Sequence, residues 1–156
     1  MTDTNDPSMD DAARQALAAF APNLADWPRS WRYDDEDIAP GEQIVAYLTP
    51  FLLHLLGTGL TLKTLRRHRN NVWLLGGELI RNMCRDPDLR TQAIESVIRN
   101  AVDSEGGPLL SGHETEEEQR SFDSTCRKLA KYLDDQGTSS KSTDHTPAKT
   151  SKGRRK

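Results

Sequence analysis

Cysteine is scarce. Only Cys84 and Cys126 occur among 156 residues, too few for the disulfide framework of a small secreted domain, so a reduced, cytoplasmic protein is expected. The opening residues, MTDTNDPSMDD, are acidic where a secretory leader needs a basic start and an apolar stretch. Apolar residues are also few, at 35% with a mean hydropathy of −0.75, which is poorer than an ordinary domain and fits one small core with disordered ends. Enzyme signatures are missing throughout: there is no GxxxxGK[ST] loop, GxGxxG, HExxH or GxSxG. The two cysteines stand alone, and His54, His68, His113 and His145 show no paired spacing, so no catalytic residues, metal or cofactor are expected. Strand-like alternation and internal repeats are absent as well. The 20 uncharged residues between Glu42 and Lys63 have the length of a membrane span. Gln43, Thr49, Pro50, His54, Gly57, Thr58 and Gly59 interrupt them, and the stretch reads instead as helix, turn and cap, with no membrane partner.

Charge is segregated. The net value of −3 divides into −6 over residues 1–40, +3 over 41–83, −5 over 84–136 and +5 over 137–156. A polyanion would therefore be met at the internal segment or the tail. The tail, GTSSKSTDHTPAKTSKGRRK, has no large apolar residue to offset the entropy of ordering and is expected to be disordered. Its Lys152, Arg154, Arg155 and Lys156 would add nonspecific phosphate contacts.

Helical signals fill the rest. Ser8 and Asp11 have capping-box spacing before Ala13, Leu17, Phe20 and Leu24, which predicts a first helix over about residues 9–21. ADWPRSWRYDDEDIAPGE then reads as an irregular strap interrupted by Pro28 and Pro40, its DDED run solvated and its Trp27, Trp31 and Tyr33 docked on the helical body. Ile44, Tyr47, Leu48, Phe51, Leu52 and Leu55 mark a widely buried helix that Pro50 should kink or divide and that ends at Gly57 in a left-handed cap. Thr61 as N-cap, with Leu60 and Leu65 as a hydrophobic staple, starts the next helix. Its Gly76 and Gly77 either break it or admit a close neighbour. Asp86-Pro87-Asp88 opens a third core helix through Leu89, Ala93, Val97 and Ala101, stopped by Gly106-Gly107-Pro108. Thr115 and Glu118 cap a fourth, which buries Phe122, Cys126, Leu129 and Leu133 and ends before Gly137. The expected fold is all-α: a four-helix orthogonal bundle over residues 40–136, an N-terminal helix and strap over 1–39, and the tail over 137–156.

The basic residues Lys63, Arg66, Arg67, His68 and Arg69 crowd the first two turns of the helix capped by Thr61, where the helix dipole disfavours cations. Two compensations are open. The DDED run or the Glu-rich turn could fold against them, or they could hold a phosphate backbone together with the helix amides. Lys63, Arg66, Arg67 and Asn70 share one face at i, i+3, i+4 and i+7, with Arg69 flanking it. Trp73 beside that face is either core or a stacking surface.

The order of elements IVAYLTPFLLHLL, GTGL and TLKTLRRHRNNVWLLGGELI, closed by CRKLAKYLDD, resembles the core-binding, SAM-like domain of tyrosine recombinases and phage integrases. In that family a "YL" helix is followed by a "GLS-x-KT" helix start, matched here by Gly59-Leu60-Thr61-Leu62-Lys63-Thr64. The resemblance spans about residues 40–136 and implies a module that clamps duplex DNA, with Lys63, Thr64, Arg66 and Arg67 near it. The family's catalytic arginines, HxxR element and tyrosine nucleophile have no counterpart here, so no strand cleavage is expected. The leading expectation is a non-catalytic DNA-binding bundle using Lys63, Thr64, Arg66, Arg67, Arg69 and Asn70. The competing one is a protein-interaction or self-associating module in which Trp27, Trp31 and the leucine-rich helix bury against a partner.

Overall fold

The computed structural model describes residues 7–110 and 115–140. The regular elements are α1 (Pro7–Phe20), α2 (Trp27–Trp31), α3 (Ile38–Leu56), α4 (Leu62–Arg85), α5 (Ile94–Ala101) and α6 (Glu116–Ser140), with 3-10 turns at Leu24–Asp26, Asp35–Asp37 and Pro87–Thr91. The fold is all-α, and among the described residues the sole extended pairing is an isolated bridge between Asp103 and Gly106. No described helix is long and apolar enough to cross a membrane. The apolar stripes of α3 (Ile44, Leu48, Phe51, Leu52, Leu55) and α4 (Val72, Leu75, Leu79, Ile80, Met83) meet at the centre, closed by Ile98 of α5 and by Phe122, Cys126 and Leu129 of α6. α2 packs on α3 and α4, α5 on α3, and α6 along α4.

Prolines start helices here instead of breaking them. Pro28 lies in the first turn of α2 and Pro40 in the first turn of α3, positions whose backbone amide would have no intrahelical acceptor. The expected irregular strap therefore contains a short helix, and α3 already begins at Ile38. Pro50 does not divide α3, which continues to Leu56. Gly57 caps it with φ −92°, while the left-handed residue of the turn is Gly59 at φ 80°. Among the described residues α1 begins at Pro7, which puts Ser8 in its first described turn.

Trp27 and Trp31 are buried as expected, but Tyr33 is 60% exposed, its hydroxyl accepting a long hydrogen bond from Arg81 Nη1 at 3.5 Å. Trp31 explains the helical glycines: α4 is unbroken, and a Cβ on Gly76 would lie 2.1 Å from Trp31 Cζ2. The close neighbour is thus an indole laid across α4, anchored by its Nε1 donating to the Trp73 carbonyl at 3.0 Å.

The DDED run is not simply solvated. Asp34 caps the 3-10 turn by accepting from the Glu36 amide at 2.8 Å. Asp37 is 1% exposed; its Oδ2 accepts from the amides of Tyr33 at 2.7 Å and Asp34 at 3.1 Å, and its Oδ1 pairs with Arg90 Nη2. Burial alone would raise this carboxyl, but the two amides and the guanidinium hold it below the usual carboxylate value. Arg90 also donates to the Glu36 carbonyl at 3.4 Å, so the start of α3 is tied to the turn after α4.

That turn is the next difference. Asp86 does cap by accepting from the Asp88 amide, but residues Pro87–Thr91 form a 3-10 turn, and Gln92 and Ala93 are extended before α5 begins at Ile94. At the other end the Thr115–Glu118 capping box closes reciprocally, at 2.8 and 3.0 Å. α6 runs past Gly137 to Ser140, since one glycine in a terminal turn costs only about 1 kcal/mol. The tail cations Lys152, Arg154, Arg155 and Lys156, like His113 and His145, lie outside the described residues.

Candidate nucleic-acid interface

The start of α4 is built as its sequence indicates. Thr61 Oγ1 accepts from the Thr64 amide at 3.2 Å and donates to the Thr64 hydroxyl at 3.1 Å, while the Thr61 carbonyl accepts from the Leu65 amide at 2.9 Å. Thr64 is therefore half-buried and part of the cap. The amides of Leu62 and Lys63 have no backbone acceptor outside the helix, which leaves two donors at the positive end of the dipole.

Lys63, Arg66, Arg67 and Asn70 are exposed, as the shared face requires. Their engagements differ. No described carboxylate forms an ion pair with Lys63, Arg66, Arg67 or Arg69: the described pairs are Arg14–Asp11, Arg29–Asp26, Arg32–Asp35, Arg90–Asp37, Arg99–Glu95, Arg120–Glu116 and Lys131–Asp135. Among the described residues neither the DDED run nor Glu116–Glu118 forms an ion pair with the cluster. Arg67 donates to the Ser121 hydroxyl at 3.0 Å across to α6, leaving other guanidinium donors unused. Arg69 turns away: its Nη1 donates to the Phe20 carbonyl at 2.8 Å, its guanidinium sits 5.8 Å from the Phe20 ring centre, and its Nε donates to Asn70 Oδ1. It joins α1 to α4, so it is a structural residue more than part of the open face.

His68, counted with the cations in the sequence, is the reverse of one. It is 1% exposed, with Nδ1 2.7 Å from Thr125 Oγ1, which also accepts from Asn71 Nδ2 at 2.9 Å. Burial first, then the charges of Arg67 and Lys128, push its pKa down to about 4. Those two charges also locate a residue missed in the sequence: Lys128 of α6 stands with Arg67 beside the first turns of α4. The pairings 71 with 121 and 68 with 125 run α6 antiparallel to α4, so Lys128 falls at the same end as Lys63. The acidic turn Glu116–Glu118 lies about 16 Å further along α6, at 1.5 Å per residue. The block charge of residues 84–136 hid this polarity along one helix.

The buried histidine sets an acid limit. A neutral His68 in the folded chain binds no proton between pH 6.5 and about 4, whereas the unfolded chain does, so stability is expected to fall as pH drops through that window, by about 3 kcal/mol in total. Urea titrations at several pH values should show the slope. His68→Gln should flatten it, and an unchanged slope would remove His68 as its source.

Beside the basic face, α4 borders a cleft of about 830 Å³ against the α1–α2 corner, lined by Asn23, Asp26, Trp27, Ser30, Asn70 and Trp73 among others. Trp73 is 38% exposed, and its Nε1 donates to the Ser30 hydroxyl at 2.9 Å. It is a wall of this cleft, not core. Elsewhere, Cys126 is buried with its thiol pushed up to about 12, first by burial and then by Asp123. The Cys84 thiol is also raised, by burial and by Asp37 3.8 Å away, which opposes thiolate chemistry. Among the described residues no group of three His, Cys, Asp or Glu side chains could hold a metal. No family model, curated protein or solved structure matches the chain.

Proposed function

We propose that the chain is a non-catalytic nucleic-acid-binding protein that holds a phosphate backbone on Lys63, Arg66 and Arg67 of α4, joined by Lys128 of α6. The observation that carries this reading is the unneutralised positive charge at the N-terminal end of α4. Cations placed there work against the dipole, no described acid answers them, and the amides of Leu62 and Lys63 at the same end have no described acceptor. An anion satisfies all three at once. The resemblance of residues 40–136 to the core-binding domains of integrases, drawn from the sequence alone, would put the same lysine and arginines near a nucleic-acid backbone, and this supports the reading. The competing interaction module loses its anchors, because Trp27, Trp31 and the leucines of α3 that it would use are spent in the core.

A labelled oligonucleotide titrated with the full chain tests the reading by fluorescence anisotropy. Lys63→Glu/Arg66→Glu is expected to weaken binding at least tenfold at low salt, since each replacement turns an attraction into a repulsion. Neutralising Lys152, Arg154, Arg155 and Lys156 should weaken it less. Loss of binding only in the tail variant would reduce the function to the tail, and no binding by the unaltered chain would overturn it.

A further inference from the structure

Arg66, Asn70 and Trp73 follow one another at i, i+4 and i+7, so they form a single stripe on α4. The stripe begins in the exposed cations and ends inside the cleft. The cleft itself is chemically unlike the basic face. Trp73 presents a part-exposed indole whose N–H is already held by Ser30, and Ser30 in turn donates to the Trp27 carbonyl at 2.7 Å. The ring is thereby set in place before any ligand arrives. Arg69 occupies Asn70 Oδ1 and leaves the Asn70 amide donors without a described partner. Asp26 adds a carboxylate to the wall, with only a 3.8 Å approach from an exposed Arg29. Arg69 also lines the cleft, but its guanidinium is engaged by the Phe20 carbonyl, so with Asp26 on the same wall the cleft offers a phosphate no net positive charge, whereas a flat heterocycle with N–H donors and ring acceptors would stack on Trp73 and reach Asp26 and Asn70. The volume is that of a small-ligand site.

We infer that the cleft receives an unpaired nucleobase, so that the ligand of the basic face is single-stranded nucleic acid, with its phosphates on Lys63 and Arg66 and one base against Trp73. The inference rests on the phosphate reading of α4 given above. A base can enter only when it is not stacked in a duplex, and a tryptophan accepts the face of any base. Preference for single strands over duplex follows, with weak dependence on sequence.

The test compares an oligothymidylate of about 12 nucleotides, its RNA counterpart and a duplex of the same length, titrated into the full chain at equal salt. Both single strands should bind more tightly than the duplex. Trp73→Ala should weaken single-strand binding roughly 5- to 100-fold and leave duplex binding unchanged; Trp73→Phe should retain most of it. Saturating single strand should also quench the tryptophan emission of the unaltered chain, and Trp73→Phe should remove that quenching, a readout independent of how well the alanine variant folds. Equal affinity for duplex, or saturation without quenching, would overturn the base site while leaving the phosphate face standing. Absence of any binding would overturn both.

Discussion

Asp37→Ala is expected to cost about 1 to 3 kcal/mol of folding stability, the usual consequence of leaving donors around a buried acceptor without a partner, since Arg90 is itself a quarter exposed and can reach water. Three groups lose their acceptor together: the amides of Tyr33 and Asp34 and the guanidinium of Arg90. Against a total of about 5 to 15 kcal/mol for a domain, the loss is large enough to read directly from urea denaturation followed by helical circular dichroism. The acid limb offers an independent check. The Asp37 carboxyl is held below its ordinary value of 3.8 in the folded chain, so its contribution is complete above that pH and fades as pH falls through the folded value. The alanine variant should lose that part of the pH dependence and keep the part between pH 6.5 and 4 that belongs to His68. A loss below about 1 kcal/mol, within the range of an exposed pair, would mean that the pair is solvated and the α3–α4 tie is not made.

The paired glycines of α4 provide the second large effect, because two neighbouring substitutions of the same kind should differ in sign. Gly76→Ala places a methyl 2.1 Å from Trp31 Cζ2. The indole cannot swing aside without breaking its hydrogen bond to the Trp73 carbonyl, so the expected destabilisation is roughly 2 kcal/mol or more. At Gly77 the same methyl would meet Trp31 Cδ1 at 3.4 Å, ordinary contact, and the gain in helix propensity of up to about 1 kcal/mol should survive. Thermal melts of the two variants side by side decide the matter. Equal behaviour would mean that Trp31 does not lie across this turn.

What was legible in the sequence was local. The Thr61 cap, the Thr115–Glu118 box, the Asp86 cap and the stop at Gly57 all depend on residues within four positions of one another, and all are present, whereas α5 ends at Ala101, before the expected stop at Gly106. The apolar periodicity of α3 and α4 likewise predicted the core. The failures are of two kinds. Pro28 and Pro40 read as breakers in the sequence, because a proline's effect depends on whether it falls in a first turn or an interior one, and the helix start itself has no strong signal. The other misses involve pairs far apart in the chain: Asp37 with Arg90, Arg69 with the Phe20 carbonyl, Trp31 with Gly76 and His68 with Thr125. No spacing rule links such residues. For the same reason the six-residue site divided into Lys63, Arg66 and Arg67 on the open face, Arg69 turned inward, Thr64 in the cap and Asn70 on the cleft wall. Lys128 could be recognised only once α6 was seen to run antiparallel to α4.

Counterion release distinguishes a phosphate-binding face from any other role for these cations, so we would measure the affinity for an oligothymidylate across a range of salt concentrations. Four contacts, from Lys63, Arg66, Arg67 and Lys128, give a logarithmic slope of about −3 at roughly 0.7 ions released per contact on a single strand, with any tail contribution adding to it. Lys63→Gln/Arg66→Gln keeps the tail intact and should reduce the slope by about 1.4. A slope that is the same in both proteins would contradict phosphate binding by α4, whatever the affinity.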